Sequence, residues 1–155
     1  MGEQKERYSL FSSQLAKNGI AKKRILTDEL SLFAYSTDAS FYRLIPKVVV
    51  LVQSEAEVQT VMTLALKMKL PLTFRAAGTS LSGQASCSSV LVVLFGSFRK
   101  ISVLKKGAFI HLEPGVLGSE ANRVLKFYQN SQENDTSIMY TIVKTSLEIL
   151  NNVSN

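Results

Sequence analysis

Between Val48 and Gln84 the hydrophobic period of the chain changes twice, and that change limits the fold more than any other feature. Val48 to Val52 is an unbroken β-branched and apolar run, the pattern of a strand buried on both faces. Ser54-Glu55-Ala56-Glu57 follows as a capping box. The Ser54 side chain is placed to accept from the Glu57 amide, and Glu57 to reach back. Val58, Val61, Met62, Ala65 and Leu66 then recur at helical spacing until Leu70-Pro71 stops them. Leu72-Thr73-Phe74 reads as a second strand. A β-α-β unit of this kind needs a sheet with a helix on one face.

Directly after the second strand comes Arg75-Ala76-Ala77-Gly78-Thr79-Ser80-Leu81-Ser82-Gly83-Gln84-Ala85. Its small residues let backbone amides approach a ligand, and a run of inward N–H groups makes an anion-binding concavity. Arg75 adds a positive charge at the entrance, so phosphate or pyrophosphate is the natural guest. Glycine- and serine-rich turns are common, and most bind nothing. Spacing alone leaves the cradle and the ordinary turn both open.

Val90 to Phe95 reads as a further buried strand. Phe98 to Leu104 and Ala108 to Glu113 flank Lys105-Lys106-Gly107 and read as a hairpin. Pro114-Gly115-Val116 turns the chain into a helix over about Gly118 to Tyr128. The expected architecture is α+β: a small mixed sheet of about five strands flanked by helices, the long one over Glu55 to Lys69. A hairpin after β-α-β argues against a doubly wound dinucleotide fold. The glycine loop leads to a strand, so loop amides rather than a helix dipole would hold an anion.

The segment before Pro46, residues 1–45, reads as helical and irregular. Leu10, Phe11 and Leu15 suggest a helix stopping near Asn18-Gly19. Thr27-Asp28-Glu29 looks like a helix N-cap ahead of Leu30, Leu32 and Phe33. Tyr35 to Arg43 is expected to be an ordered loop. Residues 46–128 form the central subdomain. The tail, 129–155, has no glycine or proline and only a hint of an amphipathic helix through Ile138, Ile142, Thr145 and Ile149.

Other residue types exclude more than they offer. At 46% hydrophobic and 19% charged residues, the composition is globular, and no apolar run is long enough to span a membrane. The net charge of +6 comes from scattered short clusters rather than one basic stripe, so no nucleic-acid partner is expected. Cys87 and His111 are each the sole residue of their type, which leaves neither a disulfide nor a recognisable metal set, and no catalytic residue stands out. A lone thiol suits a reducing compartment.

With its neighbours in place the loop has a family context. Asp38-Ala39-Ser40-Phe41-Tyr42-Arg43, the capped helix, and Arg75-Ala76-Ala77-Gly78-Thr79-Ser80-Leu81-Ser82-Gly83-Gln84 together resemble the FAD-linked oxidases of the vanillyl-alcohol-oxidase type. The likeness is to the D-lactate and D-2-hydroxy-acid dehydrogenase branch, over roughly residues 20–128. The fold so implied is the first half of that FAD-binding domain. The resemblance assigns Ala76, Ala77, Gly78, Thr79 and Ser80 to the FAD pyrophosphate, with Arg75 at the entrance. Ser82, Gly83 and Gln84 would continue the cradle, and Pro114, Gly115 and Val116 would form a turn beside the cofactor. Some relatives bind flavin covalently through a histidine in this loop; Thr79 here implies non-covalent FAD.

Beyond Tyr128 the family pattern is lost. The Pro-Asp-Pro-Ser-type segment, the Gly-Gly…Asn-x-x-Gly stretch and the substrate cap of the relatives have no counterpart. Asp135-Thr136-Ser137-Ile138 and Asn151-Asn152-Val153-Ser154 echo them only faintly. The expectation is a truncated or frameshifted piece of a dehydrogenase, inactive alone. The alternatives are a subunit completed by a second chain, and a non-enzymatic anion or nucleic-acid binder. The implied location is cytoplasmic, peripheral to the inner membrane in the parent enzyme.

Overall fold

The computed structural model describes residues 2–94, 96–104 and 109–131. The hairpin turn at Lys105-Lys106-Gly107, the strand end at Phe95, and the tail with its Ile138 to Ile149 pattern lie outside those residues. The chain groups into two compact units, Met1–Ser97 and Phe98–Asn155.

The first unit contains α1 (Gly2–Lys17), β1 (Ile25–Leu26), α2 (Glu29–Ala34), β2 (Val48–Leu51), α3 (Glu55–Lys67), β3 (Leu72–Arg75) and β4 (Val90–Val93). Its sheet has the order β1-β2-β4-β3. β4 runs parallel to both β2 and β3, and β1 runs antiparallel to β2, so the sheet is mixed. The second unit holds the antiparallel pair β5 (Ile101–Leu104) and β6 (Phe109–Leu112), followed by α4 (Gly118–Ser131). The expected α+β architecture is observed. Its strands divide into a four-stranded sheet and a separate two-stranded one, and β1 is too short to be seen as an apolar run.

The two valine-rich strands make the core. β4 is buried along its whole length, and Val48, Val49 and Val50 of β2 are fully buried. Alternation sends Val49, Leu91 and Val93 to one face, where Cys87 joins them and Leu26, Leu32, Tyr35 and Leu51 close the edge. Burying a valine or leucine side chain contributes about 1.5–3 kcal/mol, so this cluster fixes the register of β2 against β4.

The capping box forms in one half only. Ser54 accepts from the Glu57 amide at 3.3 Å, but Glu57 does not return to Ser54. Its carboxylate accepts instead from the Gln53 amide at 2.8 Å and from both terminal nitrogens of Arg24, at 2.6 and 2.7 Å. Arg24 also donates to the Leu51 carbonyl at 3.0 Å. This bidentate pair outcompetes the local bond and ties the segment before β1 to the start of α3. Val61 and Ala65 are buried as their spacing requires, whereas Leu66 is 81% exposed. Eight residues after Val58, position 66 has rotated about 80° off the apolar stripe.

Both long helices of this unit end in the same way. After α1, Gly19 has φ +96° and the amides of Gly19 and Ile20 donate to Ala16 and Leu15. After α3, Lys69 has φ +52° and the amides of Lys69 and Leu70 donate to Leu66 and Ala65. These are two Schellman closures, one with the expected glycine and one without. Arg7 of α1 donates to the carbonyls of Met68 and Lys69, the latter at 3.0 Å. Tyr8 hydrogen-bonds Ser89 at 2.9 Å. Thus α1 caps α3 and touches the residue that enters β4.

Candidate functional site: an open amide loop after β3

Parallel neighbours β3 and β4 must be joined by a crossover of a dozen or more residues, usually a helix. Here Ala76 to Ser89 makes the crossover without one. A long loop with no regular structure in a compact unit is commonly functional. This one leaves from the carboxyl end of a parallel strand, where open α/β sheets place their ligands.

The loop divides into two halves. In the second, the amides of Ser82, Gln84, Ala85 and Ser86 all find acceptors. Ser80 Oγ accepts from the amides of Ser82 (3.3 Å) and Gln84 (3.1 Å) and pairs with Gln84 Oε1 at 3.0 Å. The Ala85 amide donates to Asp38 Oδ2 at 3.2 Å, and the Ser86 amide to the Gly83 carbonyl. In the first half, the amides from Ala76 through Leu81 meet no acceptor among the described residues. Buried backbone donors are nearly always paired, so a run of open ones survives only at a surface able to receive an acceptor.

Two glycines shape this surface. Gly78 has φ +71°, and a methyl there would stand 2.5 Å from Arg75 Nε and 2.6 Å from its Nη2. The guanidinium therefore lies against the bare α-carbon of Gly78. Its Nη1 donates to the Tyr35 carbonyl at 3.1 Å, and its carbon sits 5.9 Å from the Tyr35 ring centre. Gly83 has φ +74°, and a methyl would meet Tyr42 Cδ2 at 2.8 Å. Glycine is required at both positions for conformation and for close approach.

The loop is braced from the Tyr35 to Arg43 segment, which is ordered. Thr37 bridges Arg43, Leu44 donates to the Ser36 carbonyl, and Ser36 is fully buried. Asp38 is the residue that composition and spacing did not single out as part of the site. Its Oδ1 accepts from the Ser40 amide at 2.8 Å and from the Ser40 hydroxyl, and its Oδ2 from Ala85. Beside it, the Ala39 amide donates to the Gly78 carbonyl at 2.9 Å. Burial works against the charged carboxylate. The Ser40 and Ala85 hydrogen bonds and the Arg75 charge prevail and hold its pKa below the ordinary value. An acid two residues before a serine is a visible Asx-turn signal; its reach to Ala85 is not.

Of the sequence-derived candidates, Arg75, Ala76, Ala77, Gly78, Thr79, Ser80, Ser82, Gly83 and Gln84 come together in this loop. Thr79 is exposed. Pro114, Gly115 and Val116 lie in the second unit and form a tight turn. The Val116 amide donates to Glu113 at 3.1 Å and the Gly115 amide to Phe98 at 2.6 Å, and proline has no N–H. A methyl on Gly115 would meet the Phe98 carbonyl oxygen at 2.5 Å.

The family model described as "FAD binding domain" matches residues 46–143, and the chain belongs to that family. No curated protein sequence matches it. Among solved structures it is similar to 4-ethylphenol oxidase from Gulosibacter chungangensis in an isoeugenol complex. That match has TM-score 0.62 and 18% identity, over 80% of this chain and 25% of that one. It is also similar to p-cresol methylhydroxylase with substrate bound, at TM-score 0.61 and 15% identity over 82% and 25%. A third is alkyldihydroxyacetonephosphate synthase, at 0.59 and 18% over 77% and 25%. The chain spans about a quarter of the length of these structures, and what they share with it is the fold.

Proposed function

We propose that the loop from Arg75 to Ser80 holds the pyrophosphate of FAD non-covalently, as the phosphate side of a flavin-dependent dehydrogenase of D-2-hydroxy acids such as D-lactate. The observation that carries the reading is the run of open amides from Ala76 through Leu81, pressed around Gly78 with Arg75 against it. A dianionic pyrophosphate supplies many acceptors to such a cradle, and the loop has no aspartate or glutamate of its own to repel it. No histidine stands in the loop, which supports a non-covalent flavin. When bound, FAD supplies the two-electron acceptor for an α-hydroxy acid. The α-hydroxy-acid assignment rests on the Asp38 to Arg43 string together with the loop. The described loop supplies the pyrophosphate side only.

Titration of the purified chain with FAD and with ADP tests this. ADP carries the pyrophosphate without the flavin. Both are expected to bind weakly and compete, and flavin is expected to leave on denaturation. Binding of neither at millimolar concentration would sink the reading. Bleaching of the flavin by D-lactate in this chain alone would overturn the reading that it serves as the phosphate side only.

A second reading, a subunit completed by another chain, is favoured by large apolar side chains left in solvent around the loop. Phe41, Tyr42 and Leu81 are exposed. Soluble proteins seldom leave such residues uncovered together. Co-expression with a chain carrying the Gly-Gly…Asn-x-x-Gly stretch should yield a stable yellow complex; two separate, colourless proteins would reject it.

A further inference from the structure

The carboxylate of Asp38 stands beside a loop read here as an anion cradle, where its charge alone would weaken binding. We propose that Asp38 is nevertheless the positioning residue of that cradle, and that removing its charge lowers anion affinity. The inference rests on the phosphate reading of the loop and deepens it.

The geometry is that of a clasp with two arms. One oxygen of Asp38 is fixed locally by the Ser40 amide and hydroxyl. The other reaches across the fold to the Ala85 amide, in the loop's bonded half. The adjoining Ala39 amide holds the Gly78 carbonyl, in the middle of the open half. Both halves of the loop are thus held from one dipeptide. With its carbonyl drawn to Ala39, the peptide that follows Gly78 has its N–H, that of Thr79, on the opposite side. The charge of Arg75 opposes that of Asp38, so the carboxylate is balanced within the first unit. Hydrogen bonds to an ionised acceptor are roughly twice as strong as neutral ones, which suits a brace holding a loop without regular structure.

Asp38→Asn separates charge from position. The amide keeps one oxygen for Ser40 but offers N–H₂ where Ala85 needs an acceptor. If charge alone matters, ADP and FAD bind D38N more tightly. If position governs, both bind about tenfold more weakly, the usual loss for one charge-assisted bond. Hydrogen exchange read on the unliganded protein adds an independent arm. The Ala85 amide is expected to lose protection in D38N while the β2 and β4 amides keep theirs.

Equal or tighter nucleotide binding by D38N, or unchanged protection at Ala85, overturns the clasp. Wild-type protein that binds neither ADP nor FAD overturns the phosphate reading instead, and the exchange arm still decides the clasp. Should D38N fail to fold, Ser40→Ala removes the hydroxyl arm and keeps the amide. It is expected to show the same two changes at smaller size, and wild-type values in both would reject the proposal.

Discussion

Two glycine turns of this chain end up as opposites. Ala76 to Leu81 leaves its amides open, whereas Pro114-Gly115-Val116 uses every donor it has. Both turns need glycine, for different reasons. Gly78 is left-handed and has a side-chain tip, the Arg75 guanidinium, beneath it; Gly115 is not left-handed and faces the backbone of Phe98. A glycine pressed on a side chain can belong to a surface that adapts to a ligand. A glycine pressed on a carbonyl belongs to packing. The family likeness placed both turns beside one cofactor; their hydrogen bonding says that only the first has amide donors left to offer.

The largest expected effect lies in the closed turn. Gly115→Ala puts a methyl into the Phe98 carbonyl, which cannot move without breaking the hydrogen bond it accepts from the Gly115 amide. Overpacking of this kind costs about 2–3 kcal/mol. Urea unfolding monitored on α4 should show it, and a variant as stable as the wild type would remove the contrast between the two turns.

Gly78→Ala comes next and should read differently. A left-handed alanine costs about 1–2 kcal/mol, and the Arg75 guanidinium has to swing aside. The stability loss is expected near the lower end, because the tip of a flexible side chain moves more cheaply than backbone. Affinity for ADP should fall at least about tenfold, since one unmade charge-assisted contact already costs that much. A stability loss with ADP affinity intact would make the open loop a packing turn like the other.

How much of this was legible depended on the range of the interaction. The helix cap at Ser54, the N-cap at Asp28 and the buried runs of β2 and β4 are local, and their residues announce them. The Asp38 to Ala85 bond joins positions 47 apart, and no local pattern encodes that pairing. Likewise Glu57 takes the nearby Gln53 amide but not that of Ser54, and the partner that holds both its oxygens is Arg24, 33 positions away. The split of the glycine loop into open and closed halves hangs on the Ser80 hydroxyl and the Asp38 carboxylate, each choosing among several partners. Composition could mark the loop as able to hold an anion but not which of its amides would be left to do so.

Acid tests the depressed Glu57 carboxylate through what it supports. The Glu57 pKa is held below its ordinary 4.5 mainly by the Arg24 hydrogen bond, against burial, with help from the Gln53 amide and the Arg24 charge. Its folded-state value is lowered, so its contribution is complete above the ordinary value and is lost as pH falls through the folded one. Stability should therefore hold to about pH 4.5 and decline below it. Glu57→Gln removes that dependence and costs about 1.5 kcal/mol at neutral pH. Because this pair braces α3 rather than the loop, the variant should bind ADP as the wild type does. A matching loss of affinity would show that the loop's openness depends on the sheet's far edge.

The smallest effect tests whether left-handed geometry by itself marks a ligand loop. Lys69 has φ +52° with its own amide and that of Leu70 donating backward, and with Arg7 on its carbonyl. It is as left-handed as Gly78 but closed. Lys69→Gly keeps every one of those bonds and relieves the Cβ strain, so the protein should gain about 0.5–1 kcal/mol. ADP affinity should not change. A gain in stability without a change in affinity assigns the function to open amides rather than to the unusual backbone angle that accompanies them. If instead affinity follows the Lys69 substitution, the helix terminus at Met68 and the amide loop are coupled through β3, and the two kinds of turn are not independent.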